Sequence, residues 1–200
     1  MTEEDITLEV PPWVYPLVVI SILITLGAAG YIYTGWLVTA PVMLAGFLAL
    51  VAWYGTTYRN PRKRRILPLY IALVIVLLLQ GFEQWYFGYT DVLKTLFPTS
   101  FVPPVVFNDS IFLSIFTFGG TVLFLFAAVG IFFHHYLGNY VGWFIMVHAS
   151  ISGLFLLALP LLAGQVQYVP GMISAPLSIV LGGVGIIRLS KNKEIQGVLS

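Results

Sequence analysis

The sequence predicts an all-α, polytopic membrane protein: one transmembrane domain over residues 1–200, a bundle of six helices with both termini cytoplasmic. Three observations carry this. The 200 residues are 59% hydrophobic and 8% charged, with a mean hydropathy of +0.96. Soluble domains carry about 25% charged residues, so polar surface is too scarce here to coat a water-soluble globule. Six apolar runs reach the length of about 20 residues that crosses a hydrocarbon layer. Finally, the basic residues fall where an even number of spans puts them on one side.

The runs are 13–33, 36–56, 67–88, 109–133, 140–162 and 169–189. The start, MTEEDITLEV, is acidic and lacks the basic segment that opens a signal peptide, so the first run reads as a retained span. Tyr33-Thr34-Gly35 separates the first two runs, and Arg59-Asn60-Pro61-Arg62 ends the second. After the third, the link from Tyr89 to Asn108 holds Pro98, Pro103 and Pro104 and is long enough to fold over the bundle mouth. Leu137-Gly138-Asn139 divides the fourth run from the fifth, and Gly164-Gln165-Val166-Gln167 the fifth from the sixth. There is no internal repeat, which removes support for an inverted-repeat transporter.

With six spans, Arg59, Arg62, Lys63, Arg64, Arg65, Arg188, Lys191 and Lys193 all fall on the cytoplasmic side, and Lys94 alone falls outside. The basic loop is also suited to anionic headgroups, so the lipid bilayer is the first expected partner. Close helix contacts are expected at Gly27 and Gly30, Gly119 and Gly120, Ala149 with Gly153, and Ser178 with Gly182. Pro41, Pro160 and Pro176 are candidate kinks or entrances. Trp13, Trp36, Trp53, Trp85 and Trp143 read as an aromatic belt.

Several functions are excluded. A net charge of +1 does not suit a nucleic-acid partner. The absence of cysteine removes disulfides, thiolate metal sites and cysteine nucleophiles. No Walker loop, GxSxG, HExxH, EF-hand or dinucleotide fingerprint is present. No lysine lies mid-span for a retinal Schiff base, and no span carries an arginine series. No motif names a cofactor or a metal.

Glu83 is the most informative residue: no other Asp, Glu, Lys or Arg lies well inside an apolar run. A carboxylate at membrane depth costs several kcal/mol unless paired, hydrated or protonated, so it marks a site. At about 1.5 Å per residue it lies roughly 24 Å from the cytoplasmic edge, in the outer third of a ~30 Å layer. Gln80, Glu83 and Gln84 have i, i+3, i+4 spacing and share a helix face. Asp91, Asn108 and Asp109 gather at the same outer end. Two readings stand: an outward-facing polar chamber for a metal, a proton or a ligand headgroup, in which Glu83 is the acid–base group, or a Glu83 that is protonated by desolvation, or snorkels, and hydrogen-bonds a neighbouring helix. His148 lies in the fifth span with Ser150 and Ser152 nearby. It is expected to bond a serine or a carbonyl, the alternative being a metal, haem or quinone contact. His134 and His135 differ from it in depth by roughly two turns, which disfavours a bis-histidine haem, and interfacial solvation is expected for both.

Gln80-Gly81-Phe82-Glu83-Gln84 resembles the HxxEE signature of the HXXEE family of small membrane proteins, with Gln80 for the histidine and Gln84 for the second glutamate. Tyr168-Val169-Pro170-Gly171 is similar to a Y-x-P-G pattern near that family's C-terminal end, and His148 to a histidine of the preceding span. The similarity covers about residues 67–190, with two spans preceding it here, and implies a relative whose metal or catalytic site has lost residues. Glu83-Gln84-Trp85-Tyr86 also resembles the E-G-W-F element of the EXPERA sterol-isomerase group, which uses a membrane acid and a histidine on a lipid-like substrate.

Two functions are expected from this. The first is a non-catalytic structural or accessory subunit of a larger membrane complex, with other membrane subunits as partners. The second is a small membrane enzyme or binding protein for a hydrophobic, lipid-like ligand, using Glu83 with Gln80, Gln84 and His148. An ion or proton pathway is less favoured, because only Glu83 and His148 lie deep.

Overall fold

The computed structural model describes residues 11, 13–56, 66–98, 112–133 and 135–190. Every element among them is helical, and no strand occurs there. We label them α1 (Val14–Ile32), α2 (Gly35–Thr56), α3 (Leu67–Tyr86), α4 (Tyr89–Leu96), a π-helical stretch (Phe112–Gly119) leading into α5 (Gly120–Phe132), α6 (Tyr136–Leu162) and α7 (Ala175–Ser190).

α1, α2, α3 and α6 are each long and apolar enough to cross a membrane. The other two expected spans are shorter. Of the fourth, residues 112–119 are wound as a π-helix, and the apolar helix counted for length is Thr117–Phe132. The sixth begins at Ala175 rather than residue 169, because Tyr168–Ser174 is drawn into an irregular strap around Glu83. Pro176 then sits in the first turn of α7, where no backbone N–H is needed.

α1 and α2 form one antiparallel hairpin. Gly35, at φ 76° and ψ 169°, makes the break, in a region that side-chain-bearing residues avoid. A Cβ on Gly27 would meet Met43 at 2.7 Å, one on Gly30 would meet Thr39 at 2.9 Å, and Gly46 lies against Leu23. These three pairs are centred on the turn, the geometry of a tight helical hairpin. Ala149, Gly153, Ser178 and Gly182 also pack as expected: Gly153 faces Ala175 O and Ile179 on α7, and Gly182 faces Ser150 and Met146 O on α6. Gly119 and Gly120 make no such contact with another helix; they lie where the π-helix becomes α-helix.

α6 is the central helix, packing on the hairpin, α5 and α7, while α3 closes the remaining side against α5 and α7. The Leu137-Gly138-Asn139 break is not observed. Those residues form the first turn of α6, and the chain reverses earlier, with His135 Nδ1 accepting from Leu137 N–H at 3.3 Å. Gly138 instead lets α6 lie directly on the backbone of Gly130 and Ile131, contact that any side chain would block.

The core has two parts. One fills the end of the bundle holding Trp53, Tyr70, Trp143 and Met146, and it contains Ala45, Ala49, Leu73 and Ile131. Trp53 and Trp143 are thus core residues and not belt residues; Trp13, Trp36 and Trp85 are the exposed ones. Tyr140 meets Trp53 edge-on at 5.6 Å, and Tyr70 donates to Phe124 O at 2.8 Å across to α5. The other part holds Leu37, Leu156, Leu159 and Val169 together with Tyr89, Leu93 and Leu96 of α4. α4 therefore folds back over its end of the bundle, as the long link predicts, with Asp91 and Lys94 paired at 3.0 Å on its exposed side. Residues 99–108 of that link lie outside the described residues.

Candidate functional site

α3 brings Gln80, Glu83 and Gln84 to one face, as their spacing requires, and that face meets the strap and α7. The Glu83 carboxylate is enclosed by donors from a single seven-residue segment. Oε1 accepts from Tyr168 O–H at 2.6 Å, Gly171 N–H at 2.8 Å and Ile173 N–H at 3.0 Å. Oε2 accepts from Ser174 N–H at 3.1 Å and Ser174 O–H at 2.7 Å. Backbone N–H groups at a helix start have no partner within the helix, and a carboxylate there satisfies them and the helix dipole together. Of the backbone donors only Ser174 N–H, just before Ala175, belongs to the start of α7; Gly171 and Ile173 N–H belong to the strap, so Glu83 mainly holds the strap that leads into α7. Hydrogen bonds to a charged acceptor are worth about 1.5–3 kcal/mol each, though not additively.

The strap's shape follows from its residues. Gly171 has φ +100°, and a Cβ there would meet Leu156 Cδ1 at 2.8 Å and Gln84 at 3.2 Å. Val169 is fully buried and anchors the strap in the core. Tyr168 keeps its ring edge-on to Phe87 at 5.6 Å.

One turn further into the bundle lies a second polar layer. Ser178 Oγ donates to Gln80 Oε1 at 2.8 Å, and Gln80 Nε2 donates to Ser152 Oγ on α6 at 3.3 Å. Gln80 and Ser178 are buried, and the three side chains tie α3, α6 and α7 together. Gln84 is buried beside Gly171.

His148 sits on α6 one turn from Ser152, in a stripe with Tyr140 and Phe144. Its ring lies parallel to that of Phe144, at 7° and 5.5 Å between centroids, and Phe144 stacks on Tyr140 at 6.4 Å. The expected serine or carbonyl partner is not found at Nδ1, which is buried and has no hydrogen-bond partner. Ser150 donates instead to Met146 O at 3.1 Å, and Ser152 is engaged by Gln80. His135 is a cap of α6 with its ring edge-on to Tyr15, where interfacial solvation alone was expected. His134, Asn108 and Asp109 lie outside the described residues. Asp91 is exposed and pairs with Lys94. Among the described residues no group of three His, Asp or Glu side chains has metal-binding proximity.

Tyr168, Ser174, Ser178 and Ser152 complete the site and carry no charge that would single them out. The signal present was the Pro170-Gly171 turn followed by Ser174 just before an apolar run, the pattern of a helix start. The Gln80–Gln84 and Tyr168–Gly171 segments, noticed separately in the sequence, are in direct contact through Glu83. No protein-family model, curated protein or solved structure matches this chain.

Proposed function

We propose that this chain is a multi-pass protein of the cell membrane that serves as a structural or accessory subunit of a larger membrane complex. The observation that supports this most is the engagement of both Glu83 oxygens by five donors of its own chain. The only carboxylate deep in an apolar run is thereby an internal clamp, and an acid–base role would require that clamp to open. The six-span reading takes the π-helical stretch with α5 as one crossing and the strap with α7 as another, which keeps the basic loop and the basic tail on one side, with both termini cytoplasmic. α1 supports the assembly reading as well: it packs mainly on its hairpin partner and leaves Leu17, Ile24, Leu26 and Tyr31 exposed for lipid or for neighbouring helices.

Purification from native membranes in mild detergent, followed by native mass spectrometry, tests the proposal. Co-migration with larger membrane chains is the expected result; a lone chain that carries out a reaction overturns it. Reporter fusions at both ends test the topology, and opposite locations for the two termini would exclude six spans. The ligand-binding reading, with Gln80, Gln84 and His148 contacting an apolar molecule, is favoured by one observation, the unpartnered nitrogen of His148.

A further inference from the structure

His148 lies near the middle of the 27-residue α6, where a polar atom without a partner is least expected. A buried unsatisfied nitrogen carries a penalty that native structures seldom leave uncompensated. Three surroundings bear on what compensates it. The ring stacks parallel on Phe144, at 5.5 Å between centroids. Two polar layers precede it, Glu83 with Ser174 and Gln80 with Ser178 and Ser152, and Ser152 lies one turn along α6 from His148. Beside the Gln80 layer, Gly81 is in contact with Thr117 of the π-helical stretch, and π-helical turns recur at functional sites.

We propose that His148 Nδ1 anchors a binding site for one neutral hydroxyl group, supplied either by water or by the alcohol end of an apolar molecule. A hydroxyl both donates and accepts, so it fits either tautomer of the imidazole. A charged headgroup is disfavoured, because the nearest carboxylate along the polar layers, Glu83, is already enclosed by the strap and no described Lys or Arg belongs to those layers. Phe144, stacked on the imidazole, offers an apolar contact to a hydrocarbon tail. The inference does not depend on the subunit reading.

The test uses the full chain in nanodiscs, with 1-dodecanol and dodecane as probes and with two variants. Asparagine places a polar atom near the position of Nδ1, so His148→Asn retains the anchor, whereas His148→Leu removes it. If an apolar alcohol is the occupant, dodecanol raises the unfolding midpoint of the wild type and of His148→Asn by about 2–4 °C, and dodecane does not. His148→Leu then shows no response. If water is the occupant, neither probe acts, His148→Asn matches the wild type, and His148→Leu unfolds several degrees lower. The proposal is overturned if His148→Leu is at least as stable as the wild type with no response to alcohol in any form. It is also overturned if dodecane raises the unfolding midpoint as much as dodecanol does. Should His148→Leu fail to fold, the wild type with both probes and His148→Asn still separate these outcomes.

Discussion

Glu83 and His148 are both polar side chains set inside apolar helices, and the bundle treats them in opposite ways. Around Glu83 a seven-residue non-helical strap supplies the donors, and each carboxylate oxygen accepts at least two hydrogen bonds. Around His148 the helix stays regular, one face of the ring stacks on Phe144, and Nδ1 is left without a partner. The more costly group to bury has been fully compensated within the chain, and the less costly one has not. Depth and residue type alone therefore do not mark the open site; the tally of partners does.

Substitutions at the clamp sharpen that contrast. Replacing Glu83 by Leu leaves five donors facing an apolar group, and we expect a loss of about 3–5 kcal/mol, read as a collapse of the monodisperse peak and of thermal stability in detergent. An unchanged melting profile would show that the clamp is not structural. Gly171→Ala forces a side chain into a positive-φ position against Leu156, for an expected cost of about 1–3 kcal/mol in the same assay. Ser178→Ala leaves Gln80 Oε1 without its donor in a buried layer, and about 1–2 kcal/mol should be lost; a neutral result would mean that Ser152 and Gln80 rearrange freely. Tyr168→Phe removes one of five donors at a half-exposed position, and a shift of about 1 kcal/mol or less is expected. If that last change equalled the first, the clamp would rest on Tyr168 and not on the helix start.

The helical class, the four long apolar helices and the hairpin turn at Gly35 were legible in the sequence, because apolar run length and glycine conformation are local properties. The common face of Gln80, Glu83 and Gln84 was legible for the same reason: a 3.6-residue repeat fixes it. What α3 faces was not. The start of α7 lies six residues later than apolar run length predicts, because Pro170 and Gly171 oppose helix there and contacts with Glu83, 85 or more positions away, hold the stretch as a strap. Gly138 misled for a related reason: glycine signals a turn and a close helix contact equally, and only the neighbouring backbone of Gly130 decides between them. Trp53 and Trp143 looked like interface residues by position along their helices, yet the bundle end needs large rings to fill it.

The clamp has a mechanical consequence. Its hydrogen bonds join α3 to the strap before α7 and so close a non-covalent loop of chain that contains α4, α5 and α6. A load applied to the C-terminus would first unwind α7, residue by residue, and then meet five bonds arranged to be strained together. We expect single-molecule extraction from that end to show one short ramp ending in a dominant force peak, and pulling from the N-terminus to draw out the α1–α2 hairpin before any such peak. The molecule would thus resist traction unequally from its two ends, set by one carboxylate.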